Sequence, residues 1–206
     1  KIKEKLEKMS ISDGIRAVKF SEVVVIVLDV KVSFEAQDLR IADFAEREGR
    51  CLVIAINKWD LEDQKMEKVK ILREKVARLL PQLAGVPMVT ISGLTGVGLN
   101  KLRETIFNAY KIWNIRVSTA RLNIWLNEKV KTHPPPSTRG RHLKIRYITQ
   151  VNNRPPSFVV FCSSPHLIPD SYKRYLVNSL RKDFNIPGTP IRLMLRAGKN
   201  PYAKKS

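Results

Sequence analysis

Three things are scarce in this 206-residue chain, and each scarcity excludes something. Cysteine is nearly absent. Cys51 and Cys162 lie far apart, with no CxxC pair and no metal-ligand spacing, so they read as reduced core residues of a cytosolic protein. Long apolar runs are missing as well. The longest aliphatic stretch, Val23–Leu28, has six residues, whereas a bilayer span takes about 20, so no transmembrane helix is expected. Lys1–Ser10 is charged and lacks an apolar centre, unlike a secretory signal.

The third scarcity is acidic charge late in the chain. Residues 119–206 hold only Glu128, Asp170 and Asp183 against 17 Lys and Arg, and so carry +14 of the formal +19. Residues 1–118 carry 21 basic and 16 acidic side chains, a net of +5. A segment so unbalanced repels itself unless it meets a polyanion, with RNA or DNA ahead of an anionic membrane. No basic amphipathic helix is apolar enough for the membrane reading. The plain alternative is a merely soluble basic domain. Hydrophobic residues, at 43%, are enough for the cores of one large or two small domains.

The first part of the chain alternates between two periods. Val23–Asp29 and Cys51–Asn57 are continuous apolar runs, as in strands covered on both faces of a parallel sheet, and Met88–Ser92 is a shorter third. Helical spacing lies between and after them. Phe34–Glu48 places Leu39, Ile41, Phe44 and Ala45 inward behind Ser33 as N-cap. Lys65–Leu80 repeats Met66, Val69, Leu72, Val76, Leu79 and Leu80. Asn100–Trp113 repeats Leu102, Ile106, Ala109, Tyr110 and Trp113. This order predicts an α/β doubly wound parallel sheet.

After Asn114 the pattern changes. Ser118–Lys131 predicts a helix with Leu122, Trp125, Leu126 and Val130 on one face. The Pro-rich basic stretch His133–His142 reads as a stiff spacer rather than a partner contact. Leu143–Val151 and Phe158–Ser163 read as strands joined by a turn containing Pro155 and Pro156. Ser171–Phe184 is amphipathic through Tyr175, Leu176 and Leu180, and Ile191–Leu195 is a last strand. This α-β-β-α-β order predicts a small second domain of α+β type. Trp125, Tyr147, Phe158 and Phe161 read as core residues rather than base-stacking platforms.

The motif that carries chemistry is Asn57-Lys58-Trp59-Asp60, at the carboxyl end of a buried strand, where open α/β sheets bind ligands. A carboxylate there, Asp60, accepts both the ring N–H and the exocyclic amine of guanine, and it rejects adenine, which offers the opposite pattern. Lys58 can lay its aliphatic stem over the base, and Asn57 can tether neighbouring loops. One strand later, Ser92-Gly93-Leu94-Thr95-Gly96 offers a backbone N–H for guanine O6, with Ser92 bracing the loop. Either motif alone is ordinary; their pairing at this distance is specific. The alternative is a solvated strand end with a helix cap at Asp60.

At these residues the chain resembles the EngA/Der family of tandem-G-domain bacterial GTPases, from Lys1 to about Tyr202. The likeness is carried by KIKEKLEKMSISDGIRAVKFSEVVVIVLDV, FEAQDLRIADFAEREGRCLVIAINKWDL and PPPSTRGRHLKIRYITQVNNRPPSFVVF, with SYKRYLVNSLRKDF and GTPIRLML. The resemblance implies the latter part of a second G domain over residues 1–117, a KH-like basic domain over 118–197 and a basic tail over 198–206. It places guanine contacts on Asn57, Lys58 and Asp60 and on the loop Ser92, Gly93 and Leu94, with Gly93 where the family usually has Ala. It implies a ribosome-assembly GTPase of the cytoplasm, with rRNA and the large ribosomal subunit as partners and no membrane role.

The phosphate half of such a site is not in these residues. There is no GxxxxGK[ST] and no DxxG; Gly198-Lys199 is followed by Asn200. By the resemblance, the upstream G domain, the phosphate loop and the elements that bind Mg2+ are expected before Lys1. GTP or GDP binding by this segment alone is then expected to be weak or absent, and hydrolysis is expected only with those elements. The Val23–Asp29 strand is expected to present a bare apolar edge. No catalytic residue and no metal ligand is assigned, since His133, His142 and His166 show no ligand spacing and no Ser–His–Asp or paired-carboxylate arrangement stands out. The single GxxG, Gly93–Gly96, lies outside the KH-like part, which therefore lacks the usual nucleic-acid clamp. Its cations are the candidate RNA contacts: Arg139, Arg141, Lys144, Arg146, Arg154, Lys173, Arg174, Arg181 and Lys182. A stand-alone RNA-binding module with a vestigial guanine site is the alternative function.

Overall fold

The computed structural model describes residues 13–136 and 143–198. Its chain divides into two compact units, residues 1–113 with 187–190, and residues 114–186 with 191–206. Among the described residues no helix is long and apolar enough to cross a membrane.

The first unit is built on a parallel sheet, in the order β1 (Val23–Asp29), β2 (Cys51–Asn57) and β3 (Met88–Thr90). The middle strand is buried on both faces: Leu52, Val53, Ile54, Ala55 and Ile56 are each at most 1% exposed. Each large aliphatic there contributes roughly 1.5–3 kcal/mol on leaving water, so the strand that ends in the candidate motif is the best anchored in the unit. One face packs Leu52, Ile54 and Ile56 against α1 (Ala36–Arg47) and α2 (Lys65–Leu79), through Ala42, Ala45, Leu72 and Val76. The other face packs Cys51 and Val53 against α3 (Leu99–Trp113), through Ala109 and Trp113. The Trp113 indole donates to Gly49 O at 2.8 Å, so even its polar atom is satisfied. β1 pairs only with β2 among the described residues, and Val27 near its end is 57% exposed.

Some expectations shift. The cap of α1 is Glu35, not Ser33: the Glu35 N–H donates to the Asp38 carboxylate at 2.9 Å, while the Ser33 carbonyl is taken by Lys75 Nζ at 2.7 Å. Phe34 stands before the helix at φ 62°, buried, with Lys75 Nζ 5.5 Å from its ring centre. The inward stripe of α1 is Leu39, Ala42 and Ala45, and Ile41 is turned out. Small alanines let the helix lie close to the sheet, which a stripe chosen by size alone misses. Met66, at the first turn of α2, is 91% exposed rather than core.

The second unit runs α4 (Thr119–Thr132), β4 (Ile145–Asn153), β5 (Pro156–Cys162), α5 (Asp170–Asp183) and β6 (Arg192–Ala197). β5 is central, antiparallel to β4 and parallel to β6. Pro156 opens β5 rather than lying in the turn, a strand start where its missing N–H removes little. The Asn123 amide of α4 exchanges two hydrogen bonds with Ile148 of β4, its Oδ1 accepting at 3.0 Å and its Nδ2 donating at 2.9 Å. Gln150, 3% exposed, accepts from Val117 N and donates to Ile115 O, each at 2.8 Å. Trp125 and Lys129 of α4 both donate to Asp183 Oδ2 on α5, each at 2.8 Å. Lys129 holds the Asp183 carboxyl below its ordinary value, against the opposing effect of burial. Both cysteines are free and buried, and burial pushes the Cys51 thiol up to about 12.

Candidate functional site

Parallel strands bring their carboxyl ends to one edge, and register does the rest. Asp29 and Asn57 are cross-strand partners at the ends of β1 and β2. The loop after β3 is joined to them directly: the Gly93 N–H donates to Asn57 Oδ1 at 2.9 Å. Asn57 therefore tethers the loop, as its place in the motif predicts. The Val30 N–H donates to Asn57 O and the Trp59 N–H to Ile91 O, each at 3.0 Å, so all three strand ends are cross-linked.

Within the tetrapeptide each residue has a distinct task. Lys58 takes a left-handed backbone, φ 61° and ψ 36°, and opens the short 3-10 turn Trp59–Leu61. A non-glycine residue pays about 1 kcal/mol or more for that conformation, and the surrounding bonds must hold it. Trp59 is turned inward, 9% exposed, and anchors the turn, which leaves the Asp60 carboxylate exposed beside it. Ser92 is 1% exposed; its Oγ accepts from Thr95 N at 3.1 Å and its carbonyl accepts from Gly96 N at 2.9 Å. It braces the loop from within. Leu94 lies at the tip, 88% exposed. The Gly93 N–H is engaged by Asn57, whereas the adjacent Leu94 N–H has no such partner among the described residues.

Gly93 needs no glycine geometry. A Cβ there would meet only the Asn57 amide, no nearer than 3.5 Å, so alanine fits. Gly98, just before α3, is the opposite: at φ 82° its Cβ would lie 2.3 Å from Thr90 O.

One residue of the site escapes the sequence motifs. Asp29 Oδ2 pairs with Lys58 Nζ at 2.6 Å, and its Oδ1 accepts from Lys31 N at 2.9 Å. The hydrogen bond to Lys58 holds the Asp29 carboxyl below its ordinary range and raises the lysine in return. The signal was its position as the last residue of an apolar run, level with Asn57.

The candidate RNA contacts are more scattered. Lys144 and Arg146 are exposed at the start of β4, on the face away from buried Leu143 and Tyr147. Arg154 is exposed, with Nε donating to Asn114 Oδ1 at 2.9 Å. On α5, Arg174 and Lys182 are exposed and Lys173 is half-buried. Arg181 corrects the expectation. It is 8% exposed, and its guanidinium donates to Ile186 O at 3.2 Å, closing the end of its own helix instead of facing solvent. Arg139 and Arg141, His142 and residues 199–206 of the basic tail lie outside the described residues. Trp125, Tyr147 and Phe158 are core, and Phe161 is half-buried. No group of three or more His, Cys, Asp or Glu among the described residues could hold a metal ion.

Comparison with known proteins gives the two units their relatives. Residues 116–196 match the family described as the C-terminal KH-domain-like part of EngA bacterial GTPase enzymes, and residues 11–111 match the elongation factor Tu GTP-binding domain. Over the whole chain, identity is 59% to a GTPase Der of Dinoroseobacter shibae and 60% to one of Ruegeria sp.. The chain belongs to the EngA/Der GTPase family. It spans 42% of the length of these two relatives. The EngA/Der assignment agrees with the fold, a GTPase-type parallel sheet followed by a KH-like domain. A solved structure of a probable GTP-binding protein engB is 21% identical, with a TM-score of 0.42 over 52% of this chain and 66% of that one.

Proposed function

We propose that this chain supplies the guanine-recognition edge and the RNA-contacting domain of a cytoplasmic GTPase acting in assembly of the large ribosomal subunit. The observation that carries the reading is the Asn57–Gly93 hydrogen bond, which joins the strand end bearing Asp60 to the loop bearing Leu94. A base entering between them meets a carboxylate acceptor from one loop and a backbone donor from the other. Guanine presents the complement, with two N–H groups beside one carbonyl. Asn57, Lys58, Asp60, Ser92, Gly93 and Leu94 form this half of the nucleotide site. The phosphates and Mg2+ fall to a phosphate loop and switch elements of the intact protein, and hydrolysis depends on them. Base contacts without phosphate contacts leave most of the affinity unmade, so this segment alone binds GTP or GDP weakly.

The second domain supplies rRNA affinity through charge. With no GxxG clamp, Lys144, Arg146, Arg154, Lys173, Arg174 and Lys182, together with Arg139 and Arg141, neutralise phosphates and give the complex a steep salt dependence. The test is cosedimentation of the full-length protein with large ribosomal subunits, with a non-hydrolysable GTP analogue or with GDP. The reading expects association that changes with the nucleotide and weakens when Lys144 and Arg146 are both replaced by Glu. Association indifferent to both overturns it.

A further inference from the structure

Asp29 is a charged side chain that touches the guanine motif from a neighbouring strand without belonging to it. Its carboxylate is fixed at both oxygens, by the Lys31 N–H at 2.9 Å and by Lys58 Nζ at 2.6 Å. The strand pairing that sets Asp29 level with Asn57 places it one residue from Lys58 across the sheet edge. The lysine leaves β2 in a left-handed conformation and ends on the carboxylate of β1. Its side chain therefore spans the gap between the two strand ends. The proposed function places the base beside that span, between the Asp60 and Leu94 loops.

We infer that Asp29 is a positioning residue for guanine-nucleotide binding: it holds the Lys58 side chain extended across the strand ends, so that its aliphatic stem is already in place when the base arrives. This rests on the guanine reading of the motif. A lysine free in solvent samples many rotamers, and freezing them costs up to about twentyfold in a binding constant. The pair is partly solvent-exposed, 29% at the Asp29 side chain and 55% at Lys58. It therefore recovers only part of that cost, about two- to fivefold. The pair is electrostatic, so the gain shrinks as salt screens it.

The test is a double-mutant cycle in the full-length protein, read as affinity for a fluorescent GDP analogue at low salt. Asp29→Asn keeps the shape and an oxygen for the Lys31 N–H but removes the charge that holds the lysine. The expected result is binding about two- to fivefold weaker, with the gap to wild type closing at high salt. In a Lys58→Ala background the same replacement should change nothing further. An equal loss in that background marks a general structural effect and overturns the proposal. Unchanged affinity overturns it, and so does tighter binding, which would mean that the pair holds the lysine away from the base. Asp60→Asn, measured alongside with xanthosine diphosphate, separates the two readings. If preference fails to move to xanthine, the guanine reading falls and this proposal with it. If preference moves but the cycle is flat, this proposal alone falls.

Discussion

Gly93 and Gly98 stand five residues apart in one loop, yet the structure predicts opposite outcomes for the same replacement. Gly98→Ala sets a Cβ 2.3 Å from Thr90 O and 3.2 Å from Ile91 Cα, at φ 82°. Neither neighbour can step aside easily, because both are backbone at the carboxyl end of β3, a strand paired to β2. The left-handed conformation costs an L-residue roughly 1–2 kcal/mol, and relieving an overlap in a packed region adds typically 1–3 kcal/mol. The sum, about 2–5 kcal/mol, corresponds to a Tm loss of about 8–20 °C for a domain of this size. The damage is local to the site: Gly98 O accepts the Leu102 N–H at 2.9 Å and Val97 O accepts the Ser92 N–H at 2.9 Å, so the start of α3 and the base loop shift together. Gly93→Ala meets only the Asn57 amide at ordinary contact distance, and it removes flexibility from the unfolded chain, a gain of about 0.4–1 kcal/mol. Urea unfolding of the two variants, followed by tryptophan fluorescence, reads both. The reasoning is refuted if Gly98→Ala stays within about 0.5 kcal/mol of wild type, or if Gly93→Ala loses more than about 1 kcal/mol.

Other perturbations test other parts of the account. Asn57→Ala removes the acceptor of the Gly93 N–H; the bond is exposed, so stability falls by only about 0.5–1.5 kcal/mol, while GDP affinity of the full-length protein falls more than that of a Ser118→Ala control. Asp183 has a lowered carboxyl pKa in the fold, so its stabilising pairing is complete above its ordinary value of 3.8 and is lost as pH falls below that. Asp183→Asn should cost about 1 kcal/mol at neutral pH and flatten the stability of the second unit below pH 3.8, as measured by denaturant melts across the acid range. Lys144→Ala and Arg146→Ala should each lower the slope of log affinity for RNA against log salt by about 1, with little dependence on RNA sequence. Arg181→Ala should instead lower stability while leaving that slope unchanged, since its guanidinium serves the fold.

The architecture was legible because it rests on unbroken patterns. The runs Val23–Asp29 and Cys51–Asn57 became strands with those same bounds, since an unbroken apolar run marks a strand of a parallel sheet; β2 is buried almost throughout, whereas β1 is mostly half-buried with Val27 exposed. α2 and α3 matched within a residue at each end, because two or more full turns of apolar spacing leave little choice. What escaped was decided by partners distant in sequence. The cap of α1 went to Glu35: Phe34 at φ 62° separates Ser33 from the helix, and the Ser33 carbonyl bonds Lys75, 42 residues on. Arg181 reads as one more cation until its contact with the Ile186 carbonyl is seen. In the site itself, Asn57 could be named as a tether from its motif, but its partner, the Gly93 N–H, depends on how two loops meet. Asp29 stands out in sequence only as the end of an apolar run; its pairing with Lys58, just past the next strand, depends on the strand register.

The claim on which the account turns is that Asp60 reads guanine. Replacing it by Asn exchanges a carboxylate that accepts two N–H groups for an amide that can donate to the second carbonyl of xanthine. Affinities for GDP and xanthosine diphosphate, measured on the full-length Asp60→Asn protein and its parent, decide the point. The account predicts that GDP binding falls by about 100-fold or more, as expected when charge-assisted hydrogen bonds are lost, and that xanthosine diphosphate becomes the tighter ligand. A variant that still prefers GDP contradicts it.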